Sequence, residues 1–113
     1  MKIIGTFHHS RWGKVTALAA SYNGAKGPLA VVLTCSGDEP LATLSVNMYK
    51  PQCSADSKDL PADCFYVKDW SENEDIAEYA RASGLFLERP DLPVAISGYV
   101  CAEVWQLARP LDA

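Results

Sequence analysis

Four cysteines, two histidines and fourteen carboxylates are the side chains of this sequence able to carry chemistry. Cys35, Cys53, Cys64 and Cys101 stand 18, 11 and 37 residues apart. No Cys-x-x-Cys occurs and no His lies within four residues of a Cys, so the spacing of a zinc site is missing. An even count allows two disulfides. The opening Met1-Lys2-Ile3-Ile4-Gly5, however, lacks the apolar run of an export signal. Reduced thiols in a cytoplasmic protein are the expectation, with Cys64 and Cys101 as small core residues of strands. His8 and His9 are adjacent, so on a strand they point to opposite faces and cannot readily share a metal. With Arg11 and Trp12 they read either as an exposed loop or strand end, or as a small basic contact patch. Cys35 and His8 would make a nucleophile–base pair only if the fold joined them, and no catalytic signature surrounds any thiol. Asp69-x-x-Glu72-x-Glu74-Asp75 lacks the glycine and loop spacing of a calcium hand. No glycine-rich phosphate loop is present. The residues therefore point to a protein that is not an enzyme and that uses no cofactor and no metal.

The carboxylates carry a stronger pattern. Residues 1–37 hold Lys2, Arg11, Lys14 and Lys26 and no acid, a charge of +4. The remainder carries six bases against fourteen acids, and the whole chain is at −4. Between Asp56 and Glu78 lie Asp56, Asp59, Asp63, Asp69, Glu72, Glu74, Asp75 and Glu78, opposed only by Lys58 and Lys68, a net of −6. Gathered on one side of a fold, these acids would speed and orient association with a basic partner, an effect that salt weakens. The same acids are also what helix capping and a solvated loop would place there. Trp70, flanked by Asp69, reads equally as a contact anchor or as a plug under a helix start. A negative chain argues against direct nucleic-acid binding.

Length and patterning set the scaffold for these residues. A chain of 113 residues, 49% of them hydrophobic, makes one domain over 1–113. No run reaches the roughly 20 apolar residues of a membrane helix. Lys14 to Tyr22 is β-branched at its start and ends at Asn23-Gly24, so it reads as a strand before a turn. Leu29 to Cys35 (LAVVLTC) reads as a buried strand, and Leu41 to Met48 alternates as a half-buried one. Residues 49–63 form a long acidic loop. Cys64 to Val67 is a short strand, and Tyr99 to Leu107 alternates with both faces mixed. Ser71 and Glu74 have the spacing of a capping box, and Gly84 is a stop signal. The expected fold is α+β: a small antiparallel sheet of about five strands with one principal helix, about 72–83, packed on it.

The runs Leu41-Ala-Thr-Leu-Ser-Val-Asn47, Leu60-Pro-Ala-Asp-Cys-Phe-Tyr-Val-Lys-Asp-Trp-Ser-Glu-Asn-Glu74, Ala82-Ser-Gly-Leu85 and Ser97-Gly-Tyr-Val100 resemble a family of small bacterial domains of unassigned activity. Its members are carried largely by plasmids, phages and integrated mobile elements, and their pattern looks like "LTVNLP … FVKDYSENEG … aGL … SGYV". The resemblance spans about Pro28 to Leu107. It departs at Asp75, where the family usually has glycine, and in a longer middle loop around Gln52 to Lys58. It carries over no catalytic residue. It implies an α+β fold and a mobile-element origin, where small acidic domains often act against host defence. The implied function is an anti-CRISPR protein in the host-cell cytoplasm, acting as a monomer or homodimer. Its implied partner is a host defence complex with a basic surface, since a guide-RNA effector holds DNA in positively charged channels. The contact residues would be Asp56, Asp59, Asp63, Asp69, Trp70, Glu72, Glu74, Asp75 and Glu78, with no membrane and no direct nucleic acid bound. Two alternatives stand beside this reading. One is an adaptor of plasmid or phage maintenance that binds through a sheet edge; the other is a small Cys- or metal-dependent enzyme.

Overall fold

The computed structural model describes residues 2–22, 28–36, 39–47 and 60–109. The chain is α+β, but its strands form three antiparallel sheets rather than one sheet of five. The first sheet has the order β1-β2-β3-β4, from β1 (Lys2–His9), β2 (Gly13–Ser21), β3 (Leu29–Cys35) and β4 (Glu39–Thr43). The second has the order β5-β6-β10-β7, from β5 (Ser45–Val46), β6 (Cys64–Val67), β7 (Phe86–Glu88) and β10 (Val104–Leu107). The third is a ribbon of β8 (Ala95–Ser97) and β9 (Val100–Ala102). Among the described residues the one α-helix, α1, spans Glu74–Ala82 behind a 3-10 turn at Ser71–Asn73.

The two longest alternating runs each break where the chain changes sheets. Within 41–48 the break is Leu44, which is fully buried. Its N–H donates to the Val31 carbonyl of the first sheet, and its own carbonyl accepts from Lys68 N. Ser45 follows, also buried, and its hydroxyl oxygen accepts from Val31 N and meets the Tyr22 hydroxyl at 2.8 Å. Two consecutive buried residues end the period of two, because the chain has crossed between sheets. Glu103 does the same between β9 and β10. This is why both faces of Tyr99–Leu107 read as mixed. In β10, Trp105 and Leu107 enter one core while Val104 enters another.

The main core joins the inner face of the first sheet (Val15, Ala17, Val31, Leu33) to Leu44, Phe65, Val67, Phe86, Trp105, Leu107 and the helix residues Ile76, Ala77 and Ala80. Phe65, Phe86 and Trp105 meet with ring centroids 5.6 to 6.3 Å apart, within the favoured range for aromatic pairs. The opposite face of the second sheet packs Cys64, Tyr66 and Val104 against Ala95 and Ala102 of the ribbon. All four residues of β6 are therefore buried, as a continuous apolar run requires. Cys64 is a core residue as expected, whereas Cys101 is exposed on the outer face of the ribbon. Cys35, Cys64 and Cys101 are free thiols, and Cys53 lies outside the described residues.

The helix lies where its periodicity predicts, but its start is built differently. The Ser71–Glu74 capping box is not made. Ser71 has φ +59° and the cap positions Trp70 and Asn73 make no side-chain cap bond. Asn73 instead turns inward, and its amide nitrogen donates to the Thr43 carbonyl at 2.7 Å and the Lys68 carbonyl at 3.0 Å. Fastening the helix start to the strands takes precedence over the local cap. At the other end Gly84, at φ +81°, stops the helix as its position predicts, and the Ser83 hydroxyl donates to the Ala80 carbonyl.

One glycine is set by a close approach. The register of β1 against β2 shifts between Ile3 and Gly5, and a Cβ on Gly5 would lie 2.4 Å from Leu85 Cδ2. Gly5→Ala is expected to cost about 1–2 kcal/mol. Urea denaturation checks it, and combining it with Leu85→Ala should cost less than the two single changes summed, because the clash disappears.

Candidate functional site

The acids of the helix divide between two flanks. Successive helical residues are about 100° apart, so Glu74, Glu78 and Arg81 share one flank while Asp75 and Tyr79 share another. On the first flank Arg81 is a hub. Its Nη1 donates to Glu78 Oε1 at 2.5 Å, its Nε to Glu88 Oε1 at 2.5 Å and its Nη2 to Glu103 Oε1 at 2.9 Å. The Trp105 indole N–H also donates to Glu103 Oε1, and the guanidinium lies 5.3 Å over the Trp105 ring. These bonds all use Oε1, so the Oε2 oxygens of Glu78, Glu88 and Glu103 take none of them. The three carboxylates together hold Arg81 far above the ordinary arginine range, Glu103 contributing most. Asp69 borders this ring. Burial raises its carboxyl above the usual value, and Glu103 adds to the rise. Four acids around one arginine leave this flank strongly negative.

Beside the ring lies a shallow pocket of about 220 Å³. Glu88, Arg89 and Glu103 line one part, and Leu92, Val94 and Val104 another. Arg89 is engaged by Asp91 at 2.8 Å and by Gln106. Cys64 Sγ is 4.0 Å from Arg89 Nη1, yet burial, the largest influence on this thiol, pushes it up rather than toward the reactive thiolate. Among the described residues no group of three His, Cys, Asp or Glu is placed to hold a metal ion.

On the second flank stands a residue whose importance the sequence does not reveal. His9 is 1% exposed, a correction to its reading as part of an exposed strand end. Its Nδ1 accepts from the backbone N–H groups of Arg11 at 2.9 Å and Trp12 at 3.2 Å. Nδ1 therefore carries no proton, and Nε2–H donates to Asp75 Oδ2 at 2.7 Å. Tyr79 packs on the imidazole with centroids 4.2 Å apart and donates to the Ser10 hydroxyl. The pair looks like the His–Asp part of a catalytic triad, but the nitrogen that a nucleophile or substrate would need is taken by two amides. His9 is a clamp that fastens the β1–β2 turn to the helix. His8, on the other face of the strand, is exposed.

The structure brings together only part of the acidic set read from the sequence. Asp69 and Glu78 reach the Arg81 ring, with Glu74 exposed on the same flank. Asp75 is drawn to His9, and Glu72 pairs with Lys68, whose hydrogen bond holds that carboxyl down at about 2. Asp63 sits in the turn before β6, at φ +65°. Trp70 is half-buried and packs on the core beneath the ribbon, a cluster that does not include Ile76. Asp56 and Asp59 lie outside the described residues. Glu88, Glu103 and the hub Arg81 are absent from the set, since nothing local marks strand-end glutamates that meet only in the fold.

Asp69→Asn is expected to stabilise the protein at neutral pH, by removing a charge that burial and Glu103 disfavour. The raised folded-state value means that the cost of the charge is present in full above it. It declines as pH falls and is gone below the unfolded value of about 3.9. The stability difference between the two proteins, followed by urea denaturation from pH 7 downward, should therefore shrink.

The chain matches no family model, no curated protein and no solved structure. The arrangement itself defines an α+β domain with an arginine-centred acidic ring beside a pocket lined partly by charged and partly by apolar side chains. Among the described residues no helix is long and apolar enough to cross a membrane.

Proposed function

We propose that this protein binds a basic, nucleic-acid-handling surface of a host defence complex and occludes it, acting as an anti-CRISPR protein without chemistry of its own. The observation carrying this reading is the Arg81 ring, in which one guanidinium holds Glu78, Glu88 and Glu103 side by side with Asp69 at the border. Ordering carboxylates before encounter lowers the entropic cost of presenting them to a cationic channel. Their summed field would steer association and displace phosphate, so binding inherits the salt sensitivity of the nucleic acid it replaces. The motif resemblance supplies the mobile-element setting. The ring and the Glu74 flank, rather than Asp75 and Glu72, form the contact in this proposal, because the latter two are engaged by His9 and Lys68.

The test is phage plaquing on CRISPR-immune hosts carrying different effector types, with and without the gene. Restored plaquing against one type supports the proposal, and charge reversal of Glu88 and Glu103 should abolish it. Absence of rescue against every effector type would reject it.

A further inference from the structure

The strongest basic feature of the described chain is the β1–β2 turn. Arg11 and Trp12 are both exposed, with the guanidinium 4.9 Å over the indole ring, and Trp12 is 41% accessible. Exposed His8 and Lys14 pair across the strands just behind them. Among the described residues no carboxylate pairs with Arg11 or Lys14. The turn is also held rigidly: His9 Nδ1 takes the N–H groups of both Arg11 and Trp12, and Tyr79 donates to Ser10. Trp and Arg are both among the residue types enriched at interface hot spots.

The complement of that turn is on the same molecule. The pocket beside the Arg81 ring offers Leu92, Val94 and Val104 to an indole and the Glu88 and Glu103 carboxylates to a guanidinium, with Arg89, already engaged by Asp91 and Gln106, also in its lining. At about 220 Å³ it is smaller than the roughly 300 Å³ at which small-molecule sites begin, so it suits a side chain better than a cofactor. The turn cannot fill its own pocket. His9 and Ser10 fasten it to the Asp75–Tyr79 flank of the helix, while the ring occupies the Glu78–Arg81 flank.

We infer that the Arg11–Trp12 turn of one copy docks into the Leu92–Val94–Glu88–Glu103 pocket of a second copy, head to tail. Two different surfaces meet in such a contact, so it adds copies in an open series unless the rotation closes a ring. A contact of one turn and one shallow pocket is small and therefore weak. Its ionic part is exposed and therefore salt-dependent. This inference is independent of the proposed host target, although self-association would cover part of the same acidic flank.

Sedimentation velocity of the purified full chain, under reducing conditions that exclude a disulfide through exposed Cys101, tests it. At low ionic strength the sedimentation coefficient is expected to climb with protein concentration, and to return to the monomer value at about 0.5 M salt. Trp12→Ala, Arg11→Glu, Glu88→Lys and Val94→Arg should each remove the concentration dependence. All four positions are exposed, and a thermal melt checks that each variant is folded. Mixing Arg11→Glu, whose pocket is intact, with Glu88→Lys, whose turn is intact, should restore association that stops at two chains. A monomer value at every concentration in low salt overturns the inference. So does association that survives both Trp12→Ala and Val94→Arg, or mixed variants that fail to pair.

Discussion

His9→Ala is expected to lose about 3 kcal/mol of stability, the largest effect of any substitution considered for this protein. The imidazole is 1% exposed and makes three hydrogen bonds, one to Asp75 and two from the turn amides. Removing it leaves a cavity against Tyr79 and strips the Arg11 and Trp12 N–H groups of their acceptor. Each lost hydrogen bond is worth about 1 kcal/mol, and the cavity adds a similar amount. Asp75 contributes little to the loss, because its carboxylate is 73% exposed and can be resolvated. His9→Asn should recover about half, since an Asn Oδ1 can accept from the same amides, though it has no ring to reach Asp75. Urea denaturation of both variants measures the difference. Hydrogen exchange at the Arg11 and Trp12 amides separates the clamp from mere core filling: exchange should quicken sharply in His9→Ala and only slightly in His9→Asn.

Arg81→Ala is expected to cost about 2 kcal/mol at low ionic strength. Three partly exposed ion pairs contribute a few tenths of a kcal/mol each, and the guanidinium over Trp105 adds about 0.5–1. Mutual repulsion among the released Glu78, Glu88 and Glu103 supplies the rest. The deficit should fall by about half in strong salt, where both attraction and repulsion are screened. Arg81→Met should cost less, because its side chain still covers Trp105. In either variant the Asp69 carboxyl, deprived of the lowering influence of the Arg81 charge, should titrate at still higher pH, a change that NMR of the side-chain carboxyl carbon reads directly. If the ring were only a collection of solvated charges, the Ala and Met variants would be alike and neither would respond to salt.

Legibility followed the range of the forces involved. LAVVLTC and CFYV announce buried strands by composition, and both occur at the residues read for them. The helix between Glu72 and Ser83 is legible because its buried stripe and its Gly84 stop are local. The capping box was misleading, since a buried Asn73 amide reaching Thr43 and Lys68 outweighs one exposed serine cap. Strand β1 is not legible as a strand, because Ile4 and Gly5 interrupt the alternation where the register shifts and Leu85 approaches Gly5. The sheet changes at Leu44 and Glu103 were invisible, as an alternating run looks continuous until its partners are known.

The amino-acid order alone determined the class of fold, the extent of the helix and the imbalance between a basic opening segment and an acidic remainder. These are sums over residues and near neighbours. Tertiary structure decided which acids meet. Arg81 collects Glu88 from the end of β7 and Glu103 from the junction of β9 and β10, 7 and 22 residues away in the chain, while His9 draws Asp75 off across 66 residues. Whether charges of one sign concentrate or disperse depends on distances through space, and those exist only once the sheets and the helix have packed together.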